Sequence, residues 1–287
     1  MSRVQRIHGR FEVAAMTDRG NVRASNEDGF LVDPYIGLII VADGMAGQGN
    51  REGSGIEATD LAIKSIYNYL SQDKTAPPPP SPPLTSDETI LCGNDAHKSH
   101  GIMERDRRTI SPLERTKEAV AYANTQIYLL NRACGRPDRM GIGATLVGLY
   151  WPSSAEGRAI VFHVGKNRIY RLRDNVLHHL THDHSAAQKW VDNGMRGLAP
   201  ANNSLLRAVG PTANVNADIS TYMLLPGDVI LLCTDGLNTM VTDRDIKIVL
   251  HQVATRMITV EQGTMEMIEM AKRNGGKDNI TVALGIL

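Results

Sequence analysis

Aromatic side chains make up only 5% of this 287-residue chain. That scarcity argues against stacking platforms for single-stranded nucleic acid. An excess of either charge is also missing: Lys+Arg and Asp+Glu both number 31, so the net charge is zero. Neither nucleic acid nor an anionic membrane is therefore favoured as a partner. Cysteine is sparse. Cys92, Cys134 and Cys233 are odd in number and far apart, and no Cys-x-x-Cys occurs. This is the usage of a reducing compartment, not of a disulfide scaffold. No run approaches the ~18 apolar residues of a membrane span. The basic start MSRVQRIHGRFEV lacks the apolar centre of a secretory leader. The expectation is a cytoplasmic protein with no membrane partner, and a monomer. No Gly-rich loop closes on Lys-Ser/Thr to cradle a nucleotide, and no internal repeat is visible.

What is present suggests a layered domain. With 42% hydrophobic residues, 287 positions can bury one large core or two small ones. Residues 11–16 alternate as a strand would. Residues 30–32 and 36–41 flank Asp33-Pro34 and predict a hairpin. Ile56, Leu61, Ile63, Ile66 and Leu70 form an apolar stripe on a helix over 51–70. Composition then changes abruptly. Residues 71–116 contain TAPPPPSPPL and a polar stretch, which predicts an insertion, since such a proline tract joins neither helix nor central strand. A helix resumes near 113–115 and runs to about 133. Strands follow over 143–150, 158–164, 168–173, 219–224 and 229–233, with helices over 183–192, 243–253 and 260–273. Strands cluster and helices come in pairs, so the pattern is α+β with mostly antiparallel sheets, not alternating βαβ. The expectation is one domain over 1–287 carrying the 71–116 insertion.

Acids recur at the ends of the apolar runs. The run 36–42 leads into Asp43-Gly44, and 229–233 leads through Thr234 into Asp235-Gly236. Each glycine suggests a sharp turn that exposes a carbonyl. Asp278 precedes the run 280–287, and Asn26-Glu27-Asp28 precedes 30–32. Acids gathered from distant strand ends repel one another unless cations hold them. All-oxygen donors of this kind suit hard divalent ions. Two such ions can clamp a phosphoryl group and acidify a water. Arg23, three residues before Asn26, is the side chain best shaped to grip a phosphate. Acids and an arginine together point to phosphoryl hydrolysis.

Six motifs occur in order: TDRGNVRASNEDGF, VADGMAGQGN, GIGATLVGLY, HVGKNRIYRLRDNVLHHLTHDHS, GDVILLCTDGL and GGKDNITVAL. Together they closely resemble the bacterial branch of the metal-dependent Ser/Thr protein phosphatases, the PPM or type 2C family. The resemblance covers nearly the whole chain outside 71–116. It implies a four-layer α+β sandwich, two antiparallel sheets flanked by pairs of helices. It implies a signalling phosphatase using two Mn or Mg ions on phosphorylated proteins, the substrates of a Ser/Thr kinase. By the same resemblance Asp43 is the bridging ligand and Gly44 offers its carbonyl. Asp235 and Asp278 are direct ligands, and Glu27 and Asp28 hold metal partly through water. Arg23 binds phosphate, and Asn279 supports the last acid.

Two departures stand out. Where the family usually has Val-Gly-Asp-Ser-Arg, this chain has Val164-Gly165-Lys166-Asn167-Arg168. That aspartate belongs to a third metal site in bacterial members, so Lys166 disfavours a third ion. It instead neutralises Asp235 or reaches the phosphate. Ala46 and Gln48 replace a usual Gly-Gly-His, and Gln48 cannot act as a general acid, so proton donation falls to another group. A second function class follows from these departures: a catalytically weak phosphoprotein-binding or regulatory module of the same fold. A nucleotide hydrolase is a distant third reading. His178, His179, His182 and His184 lack the spacing of a zinc site on one helix, and His184 reads better as capping or orienting a helix start. A metal knuckle of Cys92, His97 and His100 is disfavoured. Residues 192–209 keep the family's Leu206-Arg207-Ala208-Val209-Gly210 ending but otherwise diverge from it, and are the expected seat of substrate preference.

Overall fold

In the computed structural model the described residues are 4–47, 53–72, 110–153, 157–196, 198–200 and 204–287. Gln48, Cys92, His97, His100 and the proline tract lie outside them. The chain begins with β1 (Gln5–Ile7), β2 (Phe11–Asp18), β3 (Asp28–Asp33) and β4 (Leu38–Met45), followed by α1 (Gly55–Ser71) and α2 (Pro112–Ala133). Then come β5 (Gly143–Tyr150), β6 (Arg158–Val164), β7 (Arg168–Arg173), β8 (Val176–His179) and α3 (Ala186–Asp192). The last third holds β9 (Asp218–Met223), β10 (Val229–Cys233), α4 (Asp235–Asn238), α5 (Asp243–Ala254), α6 (Val260–Arg273) and β11 (Ile280–Ile286).

Two antiparallel sheets form, in the orders β1-β2-β11-β10-β7-β8 and β3-β4-β5-β6-β9. The expected β3–β4 hairpin is there, with Asp28 opposite Asp43. The Pro226-Gly227-Asp228 turn does not close a hairpin. It carries the chain from β9 in one sheet to β10 in the other. The sequence reading also lacked β1, β8 and α4, which are too short to show a period.

Three apolar clusters separate four layers. One packs α5 and α6 on the first sheet through Val249, Leu250, Ile268, Leu231 and Leu284. A second packs α1 and α2 on the other sheet through Ala62, Ile66, Val120, Ile127, Ile40 and Leu146. The third lies between the sheets. This explains the unbroken apolar runs. In β10, Val229, Leu231 and Cys233 face the helices while Ile230 and Leu232 face the other sheet. In β4, Leu38, Ile40 and Ala42 face the helices while Ile39 and Val41 face inward. Both strand faces are covered, so polar alternation never appears.

The insertion expected over 71–116 is entered from both ends by helices. The α1 helix runs to Ser71, and α2 starts at Pro112 with Ser111 as its cap, accepting from the Glu114 N–H. Proline at the first helical position sacrifices a donor that has no intrahelical partner anyway. Among the described residues no helix is long and apolar enough to cross a membrane.

Candidate metal centre

The inward face of β4 reads Ile39, Val41, Asp43, so Asp43 continues an apolar row past the end of the inter-sheet core. Asp28 faces it across the ladder from β3. On the opposite sheet, Ile230 and Leu232 lead to Thr234, and Ala283 leads back to Thr281. Both threonine hydroxyls donate to Asp28 Oδ2 at 2.8 Å. Asp235 opens α4 just beyond β10, and Asp278 lies two residues before β11. The polar end of the sandwich is thus a cleft of about 500 Å³ lined by Arg23, Glu27, Asp43, Gly44, Lys166, Asp235, Asp278 and Asn279, among others.

The glycines after Asp43 and Asp235 do not make the expected sharp turns. The β4 strand continues through Gly44 to Met45, and Gly236 lies inside α4. Both are needed for close approach. A Cβ on Gly44 would sit 2.4 Å from the Gly55 carbonyl oxygen at the start of α1, and one on Gly236 would sit 1.9 Å from the Asn279 carbonyl oxygen. Only a missing side chain lets α1 and the Asp278-Asn279 segment reach the acids.

Neighbouring groups hold the other expected residues. Arg23 grips Asp278 through two parallel bonds, Nε to Oδ1 at 2.8 Å and Nη2 to Oδ2 at 2.9 Å. Asn279 fastens the loop that carries Arg23. Its amide nitrogen donates to the Arg19 and Ser25 carbonyls, both at 2.9 Å, and its oxygen accepts from Glu27 N–H at 2.8 Å. The Glu27 carboxylate, 9% exposed, turns toward the start of α1 and accepts from the Gly53 and Gly55 N–H groups. Lys166 forms an ion pair with Asp235, each side chain less than a fifth exposed. Asp43 has no direct ion pair among the described residues: the Thr145 hydroxyl donates to it at 3.5 Å, and the Lys166 ammonium acts on it only at longer range.

Electrostatics follow from this crowding. Desolvation, then the charges of Asp28, Asp235 and Asp278, hold the Asp43 carboxyl well above the usual carboxylate range. Desolvation likewise pushes Asp28 up to about 7, although the Thr281 and Thr234 hydroxyls favour its anion. Burial works against the Lys166 ammonium, but Asp235, Asp43 and Asp278 outweigh it and raise its pKa. Such a cluster holds more acids than cations, and its acids offer oxygen donors, which fits hard divalent ions. With Asp235 and Asp278 paired to the chain's own cations, no three acid, histidine or cysteine groups among the described residues converge as they stand to hold a metal ion.

Thr234, Thr281 and Thr145 were not singled out from sequence. Their signal was available: each is a hydroxyl at the end of an otherwise apolar strand. The role expected of His184 also changes. Ser185, not His184, caps α3, accepting from the Gln188 N–H at 3.1 Å. His179 pairs with Asp243, His182 with Asp192 and His184 with Asp218, so these three histidines point to separate carboxylates.

No family model matches the chain. Curated relatives do. A serine/threonine phosphatase stp of Listeria monocytogenes is 30% identical over 276 residues, spanning 93% of this chain and 92% of that protein. Among solved structures, the Mycobacterium tuberculosis serine/threonine phosphatase PstP superposes with a TM-score of 0.72 at 26% identity, over 96% of this chain and 98% of its own. A PstP catalytic domain in complex with two manganese ions superposes with a TM-score of 0.70 at 27% identity, over 96% of this chain and 97% of its own.

Proposed function

The chain belongs to the PPM family of metal-dependent serine/threonine protein phosphatases, and on that premise we propose how its own residues share the reaction. It hydrolyses phosphoserine and phosphothreonine in proteins, with two manganese ions as cofactor. Asp43, Asp235, Asp278 and the Gly44 carbonyl would hold the ions directly. Glu27 and Asp28 act behind them, Asp28 fixed by two threonines and Glu27 by the first turn of α1. When bound, the ions supply Lewis acidity to the phosphate and acidify the attacking water. Arg23 presents two parallel donors to phosphate oxygens, the geometry it now shows to Asp278. Asn279 keeps that arginine's loop in place.

Lys166 occupies the side of the cleft where a third ion would be expected and pairs with Asp235 instead. The enzyme is therefore a two-metal phosphatase, and magnesium serves in manganese's place. The substrates are products of a Ser/Thr kinase in a cytoplasmic signalling circuit. The chain acts as a monomer and as one catalytic domain over 1–287, with the segment between α1 and α2 outside the chemistry.

The observation that supports this most strongly is Asp43, a carboxylate among carboxylates with no direct ion pair among the described residues. The test is hydrolysis of p-nitrophenyl phosphate and a phosphothreonine peptide with Mn, with Mg and in EDTA, for wild type and Asp43→Asn. Turnover should need the ion and should vanish in the variant. Full activity in excess EDTA, or an unaffected Asp43→Asn enzyme, would overturn the assignment.

A further inference from the structure

The three residues Asp183, His184 and Ser185, between β8 and α3, contact two walls of the cleft. Asp183 holds Arg168 bidentately, with Nε donating at 2.9 Å and Nη2 at 2.8 Å. Arg168 opens β7, two residues after Lys166. His184 is 5% exposed and takes both backbone groups of Gly165. Its N–H donates to the Gly165 carbonyl at 2.7 Å, and its Nδ1 accepts from the Gly165 N–H at 3.1 Å. Lys166 is the next residue, so the position of its backbone is set from both sides. One step further, Asn167 Oδ1 accepts from the Thr145 hydroxyl at 3.1 Å, on the strand beside Asp43.

The same histidine faces the other wall. Its carbonyl accepts from the Leu206 N–H at 2.8 Å, and Ser185 bridges to Leu205, which lines the cleft. Because Nδ1 is an acceptor, the ring proton sits on Nε2. Nε2 is 3.2 Å from Asp218 Oδ2, and Arg207 Nη1 donates to Asp218 Oδ1 at 2.8 Å. Arg207 Nη1 is also 3.0 Å from Nε2. Both groups are donors there, so they share the Asp218 carboxylate and do not bond to each other. The His163 ring covers the imidazole at a centroid distance of 4.5 Å. The ring therefore has one task at each nitrogen: Nδ1 fixes the Lys166 turn, and Nε2 fixes the 204–207 wall through Asp218.

We infer that His184 is a positioning residue that holds Lys166 onto Asp235 and thereby sets how strongly the chain's own ammonium competes with a metal ion for that carboxylate. This rests on the reading of Asp235 as a metal ligand. Releasing the turn lets Lys166 swing away, and Asp235 becomes easier for a cation to claim.

The test is Mn binding by isothermal titration calorimetry, alongside steady-state kinetics and thermal melts. His184→Ala and Lys166→Ala should each tighten Mn binding about fivefold, the scale of one partly exposed ion pair. The double variant should bind no tighter than Lys166→Ala, because both changes remove one interaction. His184→Asn keeps an acceptor near the Nδ1 position and should restore wild-type binding. His184→Gln reaches toward Asp218 but abandons Gly165, and should behave like His184→Ala. Should His184→Ala fail to fold, the Asn and Gln variants decide the matter, since both retain a polar side chain. Weakened or unchanged Mn binding in the Ala or Gln variant, or additivity with Lys166→Ala, would overturn the inference. A wild-type chain that binds no Mn would overturn the metal-site reading itself.

Discussion

The acid cluster should make the metal-free protein less stable than it would be without one of its charges. Asp28 shows how much. Its pKa rises from 3.8 to about 7, chiefly through desolvation. Between those values the folded chain keeps a proton that the unfolded chain has released, so stability falls as pH rises through this window and levels off above it. About three units at 1.36 kcal/mol each give ~4 kcal/mol near pH 8. The remaining exposure of Asp28 lowers that to roughly 2–4 kcal/mol. Asp28→Asn removes the charge and keeps an oxygen for the Thr234 and Thr281 hydroxyls. In EDTA its melting temperature should exceed wild type by roughly 5–10 °C at pH 8. The gap should shrink to less than half of that near pH 5, where less of the charge is demanded. Manganese should close most of that gap. Wild type gains about 2.7 kcal/mol at a hundredfold excess over Kd, while the variant binds weakly and gains little. Differential scanning fluorimetry from pH 5 to 8, with EDTA or with Mn, tests each part. A variant less stable than wild type in EDTA, or one whose advantage does not grow with pH, would refute the reasoning.

The other expectations are as direct. Arg23→Ala should raise KM for a phosphopeptide at least tenfold, because about 1.4 kcal/mol per decade is easily lost with a bidentate phosphate grip, and should tighten Mn binding modestly by freeing Asp278; steady-state kinetics read the first effect, and unchanged KM places Arg23 outside the site. Lys166→Asp should add a second, millimolar phase to the metal dependence of activity, whereas Lys166→Ala should not; a Lys166→Asp titration that overlays wild type contradicts the two-metal reading. Replacing residues 73–109 by a short Gly/Ser joint should preserve cooperative folding and hydrolysis of p-nitrophenyl phosphate. The ends of that segment are already held together, with Arg115 Nη2 donating to the Tyr69 and Gln72 carbonyls at 3.1 and 2.6 Å. Non-cooperative melting of the deletion variant would show that the segment packs into the domain.

The strands and helices with long, clean periods were legible in the residues. The runs ending at Asp43 and Asp235 read as buried strands because both of their faces meet apolar layers. The acids were legible too, because a carboxylate directly after such a run is rarely needed for packing. Contacts made across the two sheets were not legible. Thr234 and Thr281 reach Asp28 from strands more than two hundred residues away in the chain, and only the register of β10 on β11 brings them together. The glycines were read as turn formers, since sequence shows the absent side chain but not the backbone that comes close to it. His184 was misjudged for a similar reason. Its position at a helix start suggested that it caps or orients the helix, while its actual partner, Gly165, lies on the turn before β7.

How the chain tolerates its acids while metal-free bears on how it binds. Asp28 is met by two hydroxyls, Glu27 by backbone N–H groups, Asp235 by Lys166 and Asp278 by Arg23. Asp43 has no direct ion pair among the described residues, only a hydroxyl at 3.5 Å and Lys166 at longer range, so the strongest unmet demand for positive charge lies at the residue proposed as the bridging ligand. A cation drawn there also lowers the need of Asp235 and Asp278 for their protein partners. Release of Asp278 turns the two donors of Arg23 toward the cleft, where a phosphate would lie. On the proposed reading metal and phosphate favour the same rearranged state, and linkage should make each strengthen the binding of the other. Lys166 and Arg23 would each oppose that state with an ion pair, and their hold on Asp235 and Asp278 would set how much metal the rearrangement needs.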